Sequence, residues 1–322
     1  MRRAAIALGC LAVVAGGAAS VSAPGAARPA VVSARPAAGA AQPTLAGCPV
    51  FPADNPWNQR VDRLPVAPNS ARIITRIGLG ARVHPDFGSG LYNGEPIGIP
   101  FAIVSRHTRR VPVSFQYASE SDRGPYPLPR GVPIEGGYGS SGDRHVIVVD
   151  RSSCLDYELF AAYPHNGGTR WTAGSGAIFN LRSNRLRPAG WTSADAAGLP
   201  ILPGLARYAE VAAGAIDHAL RFTAPCTAPR YVYPARHEAS TCSGQWLPPM
   251  GLRVRLKAGV NLAGLPYQAR IVALALKRYG MILADNGSPW FISGAPDRRW
   301  SNDELHLLDR LTGRDFEVVE GR

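Results

Sequence analysis

The chain has 322 residues, 46% of them hydrophobic and only 18% charged, with a formal net charge of +12. That balance excludes an intrinsically disordered polyelectrolyte, since enough apolar side chain is present to build a sizeable core. The positive charge is almost all arginine, with lysine only at Lys257 and Lys277. It is scattered rather than gathered in a basic, aromatic-interleaved stripe, so nucleic acid is not an expected partner.

In chain order, residues 1–27 read as a secretory signal peptide: Arg2 and Arg3, an apolar stretch from Ala4 to about Ala15, then small residues suited to cleavage. Arg2-Arg3 lacks the neighbours of a twin-arginine signal, and Cys10 lies too early for a lipid-anchoring motif. Residues 28–46, dominated by Ala, Pro, Val, Ser and Gly, read as a disordered spacer. Residues 47–322 are of a size for one domain, and no later stretch is apolar for the ~20 residues a membrane span requires. An extracellular, monomeric protein without a membrane span is therefore expected.

Within the domain the first helix is predicted over Ser70 to Ile77. Short β-branched or aromatic runs bounded by turn residues then predict strands at Ile97 to Val104, Val111 to Tyr117, His145 to Val149, Leu155 to Ala162, Ala177 to Leu181, Ile216 to Thr223, Tyr231 to Tyr233 and Leu252 to Leu256. Leu265 to Tyr279 has helical periodicity and a stop at Gly280. Met281 to Ala284 and Trp290 to Ile292 flank Asp285-Asn286-Gly287-Ser288 as a predicted hairpin, and a helix from Asn302 to Leu311 and a strand from Phe316 to Val319 follow. Many short strands, frequent proline and no strand–helix alternation point to a mainly β fold: an antiparallel β-sandwich or jelly-roll with a few peripheral helices.

Without Cys10 four cysteines remain, and their spacing favours two disulfides, Cys48 with Cys154 and Cys226 with Cys242. No CxxC pair suggests zinc or redox chemistry.

Asn55-Pro56-Trp57-Asn58, the run Gly142 to Asp150 (GDRHVIVVD), Thr192 to Pro200 (TSADAAGLP) and Pro249 to Arg253 (PMGLR) resemble a family of secreted bacterial proteins. The resemblance covers most of the chain beyond the leader and implies a single domain. It carries no activity and no catalytic residue.

Strand alternation puts Asp143, His145, Ile147 and Val149 on one face, Asp156, Glu158 and Phe160 on another, and His218 in line with Leu220 and Phe222. If those faces meet, His145, Glu158 and His218 form an acid–base group, because burial raises a glutamate's pKa and a nearby anion raises that of histidine. The competing reading is a hydrogen-bonded core pair. Asp143, Arg236, His237, Trp171 and Trp191 are candidate substrate-binding residues, Arg236-His237-Glu238 lying inside the Cys226–Cys242 loop. His145, His218 and His237 are chemically adequate for zinc, but no HExxH-type spacing accompanies them, so neither metal nor cofactor is expected.

Paired carboxylates for glycoside hydrolysis have candidates in Glu95, Glu120, Asp122, Glu135, Asp143 and Glu158, with Trp57, Tyr92 and Tyr126 as further sugar-stacking candidates. Ser175, in Ala173-Gly174-Ser175-Gly176, lacks the full GxSxG elbow and reads as a tight turn. The expected function is a secreted carbohydrate-active enzyme, a glycoside hydrolase or polysaccharide lyase acting on envelope or environmental polysaccharide. The alternative is a non-catalytic cell-wall or glycan-binding protein, with a metal-dependent hydrolase or peptidase third.

Overall fold

The computed structural model describes residues 42–320. The predicted signal peptide and residues 28–41 of the predicted spacer lie outside the described residues. The domain starts slightly earlier than expected, because Thr44–Leu45 (β1) turns back onto Cys48–Pro49 (β2).

The remaining strands are β3 (His84–Asp86), β4 (Leu91–Tyr92), β5 (Glu95–Pro96), β6 (Phe101–Val104), β7 (Val113–Phe115), β8 (Val146–Asp150), β9 (Leu155–Phe160), β10 (Tyr163–His165) and β11 (Arg170–Ala173). After them come β12 (Ser175–Asn180), β13 (Leu220–Ala224), β14 (Arg253–Leu256), β15 (Met281–Asn286), β16 (Phe291–Ser293) and β17 (Phe316–Val318). The helices are α1 (Ser70–Gly78), α2 (Tyr208–Ala212), α3 (Tyr267–Arg278) and α4 (Asn302–His306). A strand-rich chain with few helices is thus as expected, but the sheets are several and mixed. A six-stranded sheet runs β17-β14-β15-β13-β16-β3, a four-stranded sheet β12-β9-β8-β6, and a three-stranded sheet β10-β11-β7.

Parallel pairs (β6 with β8, β13 with β15, β16 with β3, β11 with β7) interrupt the antiparallel pattern expected from the sequence. Parallel neighbours need a long crossover, and between β13 and β15 that crossover includes α3. The predicted hairpin around Asp285 is corrected accordingly: β13 lies between β15 and β16, pairing parallel to one and antiparallel to the other. Tyr231 to Tyr233 forms no strand, only a bridge from Tyr231 to Met250. The last predicted helix holds through Asn302–His306 and tightens into a 3₁₀ turn over Leu307–Arg310.

Strand β8 is buried along its whole length, which follows from its place in the molecule. Ile147 and Val149, with Ala177 and Phe179 of β12, join the main core around the six-stranded sheet and α3. Val146 and Val148, with Tyr157 and Leu159 of β9, join a second core containing Tyr126 and Trp171. A strand covered on both faces reads as a continuous apolar run, as Val146-Ile147-Val148-Val149 does. Helix α3 packs Ile271, Val272, Ala275 and Leu276 inward, and Lys277 and Arg278 in its last turn complement the helix dipole. It stops at Gly280, whose φ of 65° and tight approach to the Val254 carbonyl exclude a side chain.

Both expected disulfides are present, Cys48–Cys154 and Cys226–Cys242. The first closes a sequence separation of 106 residues. Converting Cys48 and Cys154 to Ser is expected to destabilise the fold by about 2–5 kcal/mol, read by denaturant titration under oxidising conditions. Among the described residues no helix is long and apolar enough to cross a membrane.

Candidate active site

A cavity of about 380 Å³ opens where the ends of β9 and β12 meet the end of β15. Its polar lining includes Glu120, Asp143, Ser175, His237 and Asp285, and Tyr117 and Phe160 supply aromatic wall.

The floor is the segment Thr192 to Leu199, shaped by its own short polar residues and by three side chains that hold its carbonyls. The Asp195 N–H donates to Ser193 Oγ (2.9 Å), and that hydroxyl donates to the Leu199 carbonyl (2.5 Å). Ser175 Oγ donates to Ser193 O (2.5 Å), His145 Nε2 to Ala194 O (3.0 Å) and His237 Nδ1 to Ala196 O (2.8 Å). A backbone bond from Ala197 N to Ala284 O (2.9 Å) then fixes the segment against β15. Ser175, the first residue of β12 rather than the turn residue expected, therefore commits its proton to the Ser193 carbonyl.

Arg221 of β13 is the charge at the centre. Its guanidinium donates Nη2 to Asp195 Oδ1 (2.9 Å), Nε to Asp195 Oδ2 (3.3 Å) and Nη1 to Ser293 Oγ (2.7 Å). Asp285 Oδ2 is 3.6 Å from Nη2. The Arg221 and Asp195 side chains are 4% and 0% exposed, whereas Asp285 retains 22%. A fork-on-carboxylate pair suits guanidinium geometry, and it commits Arg221 chiefly to Asp195. Asp285 is left to titrate differently: burial, then the Asp195 charge, push its carboxyl up to about 7, with Arg221 only partly opposing.

His145 stands behind the floor. Its Nδ1 faces Glu135 Oε2 at 2.5 Å while Nε2 faces the Ala194 carbonyl, so both ring nitrogens meet acceptors. Burial alone would push the imidazole down, but the Glu135 charge and hydrogen bond outweigh it and raise the pKa to about 9. The same pair holds Glu135 below its ordinary range against the opposing effect of burial. His145 is thus a buried imidazolium, a fixed positive charge rather than a proton shuttle near neutrality.

The residues expected to act together divide between three places. His145 adjoins the pocket. Glu158 is fully buried in the main core, where Oε1 accepts the N–H groups of Ile201 and Leu202, each at 2.9 Å. Its strand neighbour Asp156 shares that face, and burial drives the Asp156 carboxyl well above its usual range. His218 is sealed beside α2, its Nδ1 donating to Ala219 O (2.7 Å) and its Nε2 3.2 Å from Glu210 Oε2. The reason is that β13 begins at Leu220 and belongs to a different sheet from β8 and β9, so alternation along each run does not align their faces.

Of the expected binding residues, Asp143 and His237 line the pocket. Arg236 props the floor from behind, donating Nε to Arg187 O (2.9 Å) and its backbone N–H to Ala197 O (2.9 Å). Trp171 is in the second core, and the half-buried Trp191 lies 5.6 Å from the Arg187 guanidinium. His237 Nε2 comes to 3.9 Å from Glu120 Oε2, which also accepts the Thr192 N–H (3.1 Å). Among the described residues no group of three or more His, Cys, Asp or Glu is arranged to hold a metal ion.

The position of Glu158 sets an expected result. Glu158→Leu removes the acceptor for two core N–H groups and should destabilise by about 2–5 kcal/mol, whereas Glu158→Gln keeps an acceptor oxygen and costs less. Thermal denaturation of both variants checks this, and the folded Gln variant should keep its turnover.

Sequence reasoning passed over Asp195, Arg221 and Asp285. Arg221, the one charged residue in the strand Leu220–Ala224, was the available signal, since a buried arginine needs acceptors to satisfy its guanidinium. Comparison of the chain with protein-family models, with curated proteins and with solved structures finds no match.

Proposed function

We propose that the chain is an exported glycoside hydrolase that cleaves a neutral polysaccharide at the pocket between β9, β12 and β15, with Asp285 as general acid and Asp143 as its partner carboxylate. The observation that carries this reading is Asp285 itself: a partly exposed carboxyl held near neutrality at the wall of a cavity that other carboxylates also line. A general acid works best with a pKa near the operating pH, and glycoside hydrolysis needs one carboxyl to protonate the leaving oxygen and a second to activate water or attack carbon. Asp143 is exposed, lines the same cavity and contributes repulsion that raises Asp285. The signal-like leader and the two disulfides support an extracellular address.

Charge favours a neutral substrate over an acidic one. Elimination on a uronate polymer needs a cation over the substrate carboxylate, yet Arg221 is buried and already paired, and the reachable carboxylates Glu120 and Asp143 outnumber His237. An anionic chain would meet net repulsion in a site of reduced dielectric.

The test is release of reducing ends from a panel of neutral and uronate-containing polysaccharides by the purified protein. Release from neutral members alone supports the proposal. Unsaturated products from uronates would replace hydrolysis with elimination, and tight binding without any product would make the protein a glycan-binding module.

A further inference from the structure

Glu120 and His237 line the pocket beside the two carboxylates assigned to hydrolysis, and neither has a role in that chemistry. The His237 ring is held in one orientation: Nδ1 donates to Ala196 O (2.8 Å), while the backbone N–H donates to Ala197 O (3.1 Å). A neutral imidazole carries a single N–H, so this bond leaves Nε2 as a lone-pair acceptor. Nε2 makes no hydrogen bond among the described residues and is not sealed from solvent. Glu120 Oε2 stands 3.9 Å away, too far to be its hydrogen-bond partner. That oxygen accepts the Thr192 N–H (3.1 Å) and keeps a second lone pair.

Two acceptors thus lie side by side in one cavity, each with a lone pair to offer. A single hydroxyl has one proton and satisfies only one of them. Two hydroxyls on adjacent ring carbons satisfy both, since each donates over about 2.8 Å and their oxygens are set slightly closer together than the 3.9 Å between the acceptors. The pair is also fixed relative to Asp285. Asn286, the next residue, donates Nδ2 to Ala239 O (2.6 Å) and accepts from Thr227 Oγ1 (3.0 Å), which ties the Cys226–Cys242 loop carrying His237 to the end of β15. Tyr117 shares a turn with Glu120, whose N–H donates to Tyr117 O (3.1 Å), and its exposed ring gives that wall of the pocket an apolar surface for the C–H face of a sugar.

We infer that His237 and Glu120 read a vicinal diol, so that the pocket selects neutral glycans whose inner units keep adjacent hydroxyls free. A 1,4-linked hexose chain does so at C2 and C3 of every unit, whereas the inner units of a 1,3-linked chain have no adjacent pair. A site built to bond a hydroxyl rejects the analogue lacking it, because its acceptor is then left unpaired. This rests on the hydrolase reading for the reaction and names its substrate class.

The experiment is calorimetric titration of the Asp285→Asn protein, disabled for turnover, with β-1,4-linked glucohexaose and mannohexaose, α-1,4-linked glucohexaose and β-1,3-linked glucohexaose. His237→Asn and Glu120→Ala are each added to that background, and wild-type product release from the same sugars is measured alongside. Asn at position 237 retains a side-chain N–H for Ala196 O and lacks the Nε2 acceptor, so its Tm should stay within about 2 °C of the parent. At least one 1,4-linked sugar should bind about tenfold or more tighter than the 1,3-linked one, and either variant should remove about tenfold of that affinity while leaving the 1,3-linked sugar unaffected. Should His237→Asn fail to fold, Glu120→Ala alone decides. Equal or tighter binding of the 1,3-linked sugar, a preference untouched in a folded variant, or no binding of any of the four overturns the inference. Product released from the 1,3-linked sugar as fast as from the others would sink diol recognition and keep hydrolysis. A variant-sensitive 1,4 preference without product would keep diol recognition and sink hydrolysis.

Discussion

Replacing Asp285 by Asn is expected to lower turnover of a neutral glycan by about 10²- to 10⁴-fold, with a Tm within about 2 °C of the parent near neutral pH. The asymmetry follows from the environment. Burial and Asp195 already favour the uncharged carboxyl, so an uncharged amide of the same shape preserves packing, and its oxygen can still accept the Asn286 N–H that Asp285 Oδ1 accepts at 2.7 Å. What the amide lacks is the transferable proton. In the parent the acid must be protonated to act, so the rate should fall about tenfold per pH unit above pH 7, and this alkaline limb should be missing from any residual activity of the variant. A Tm collapse with normal turnover in the surviving fraction would return Asp285 to a structural role.

Arg221→Met is expected to destabilise the fold by about 3–5 kcal/mol, because it strips a buried carboxylate of its counter-ion while leaving the volume nearly filled. That corresponds to a Tm lowered on the order of 10 °C. Asp195 loses its bidentate partner and Ser293 its donor, and Glu135 and Asp285 lose a favourable charge. The sign of the pH dependence follows from linkage. Without Arg221 the folded carboxyls hold protons that the unfolded chain releases above about pH 4, so the variant should lose further stability as pH rises from 4 towards 8. The double variant Arg221→Met, Asp195→Asn should recover part of the loss and flatten that slope. Denaturant titration of the four proteins of the cycle at pH 5 and pH 8 measures both effects.

How much of this was legible beforehand differs residue by residue. The strand runs were readable because β-branched residues at alternating or continuous spacing state their own burial, and the cysteine pairing followed from spacing. Asp143 and His237 were recognisable as polar residues at the mouths of predicted strands and loops. Asp285 was not, since Asp-Asn-Gly-Ser has the composition of a hairpin turn, and only the insertion of β13 between β15 and β16 gives it another use. The Asp195–Arg221 pair is 26 residues apart, in a loop and in a strand, with no local pattern to connect them. Glu158 and His218 failed as site members for the same reason in reverse. Alternation fixes which way a side chain points from its own strand, while the neighbouring sheet decides whether it meets solvent, a backbone N–H or another acid.

The hydrolase reading depends on one aspartate at the pocket wall, Asp285, exchanging its proton near neutrality. Carbon-13 NMR of protein labelled at aspartate side-chain carboxyls, titrated from pH 4 to pH 9, reads this directly. A resonance with a midpoint near pH 7 that is absent from the Asp285→Asn spectrum is the expected result. A near-neutral transition that persists in Asp285→Asn, or an Asp285 resonance already fully ionised by about pH 5 as an ordinary aspartate would be, would contradict it.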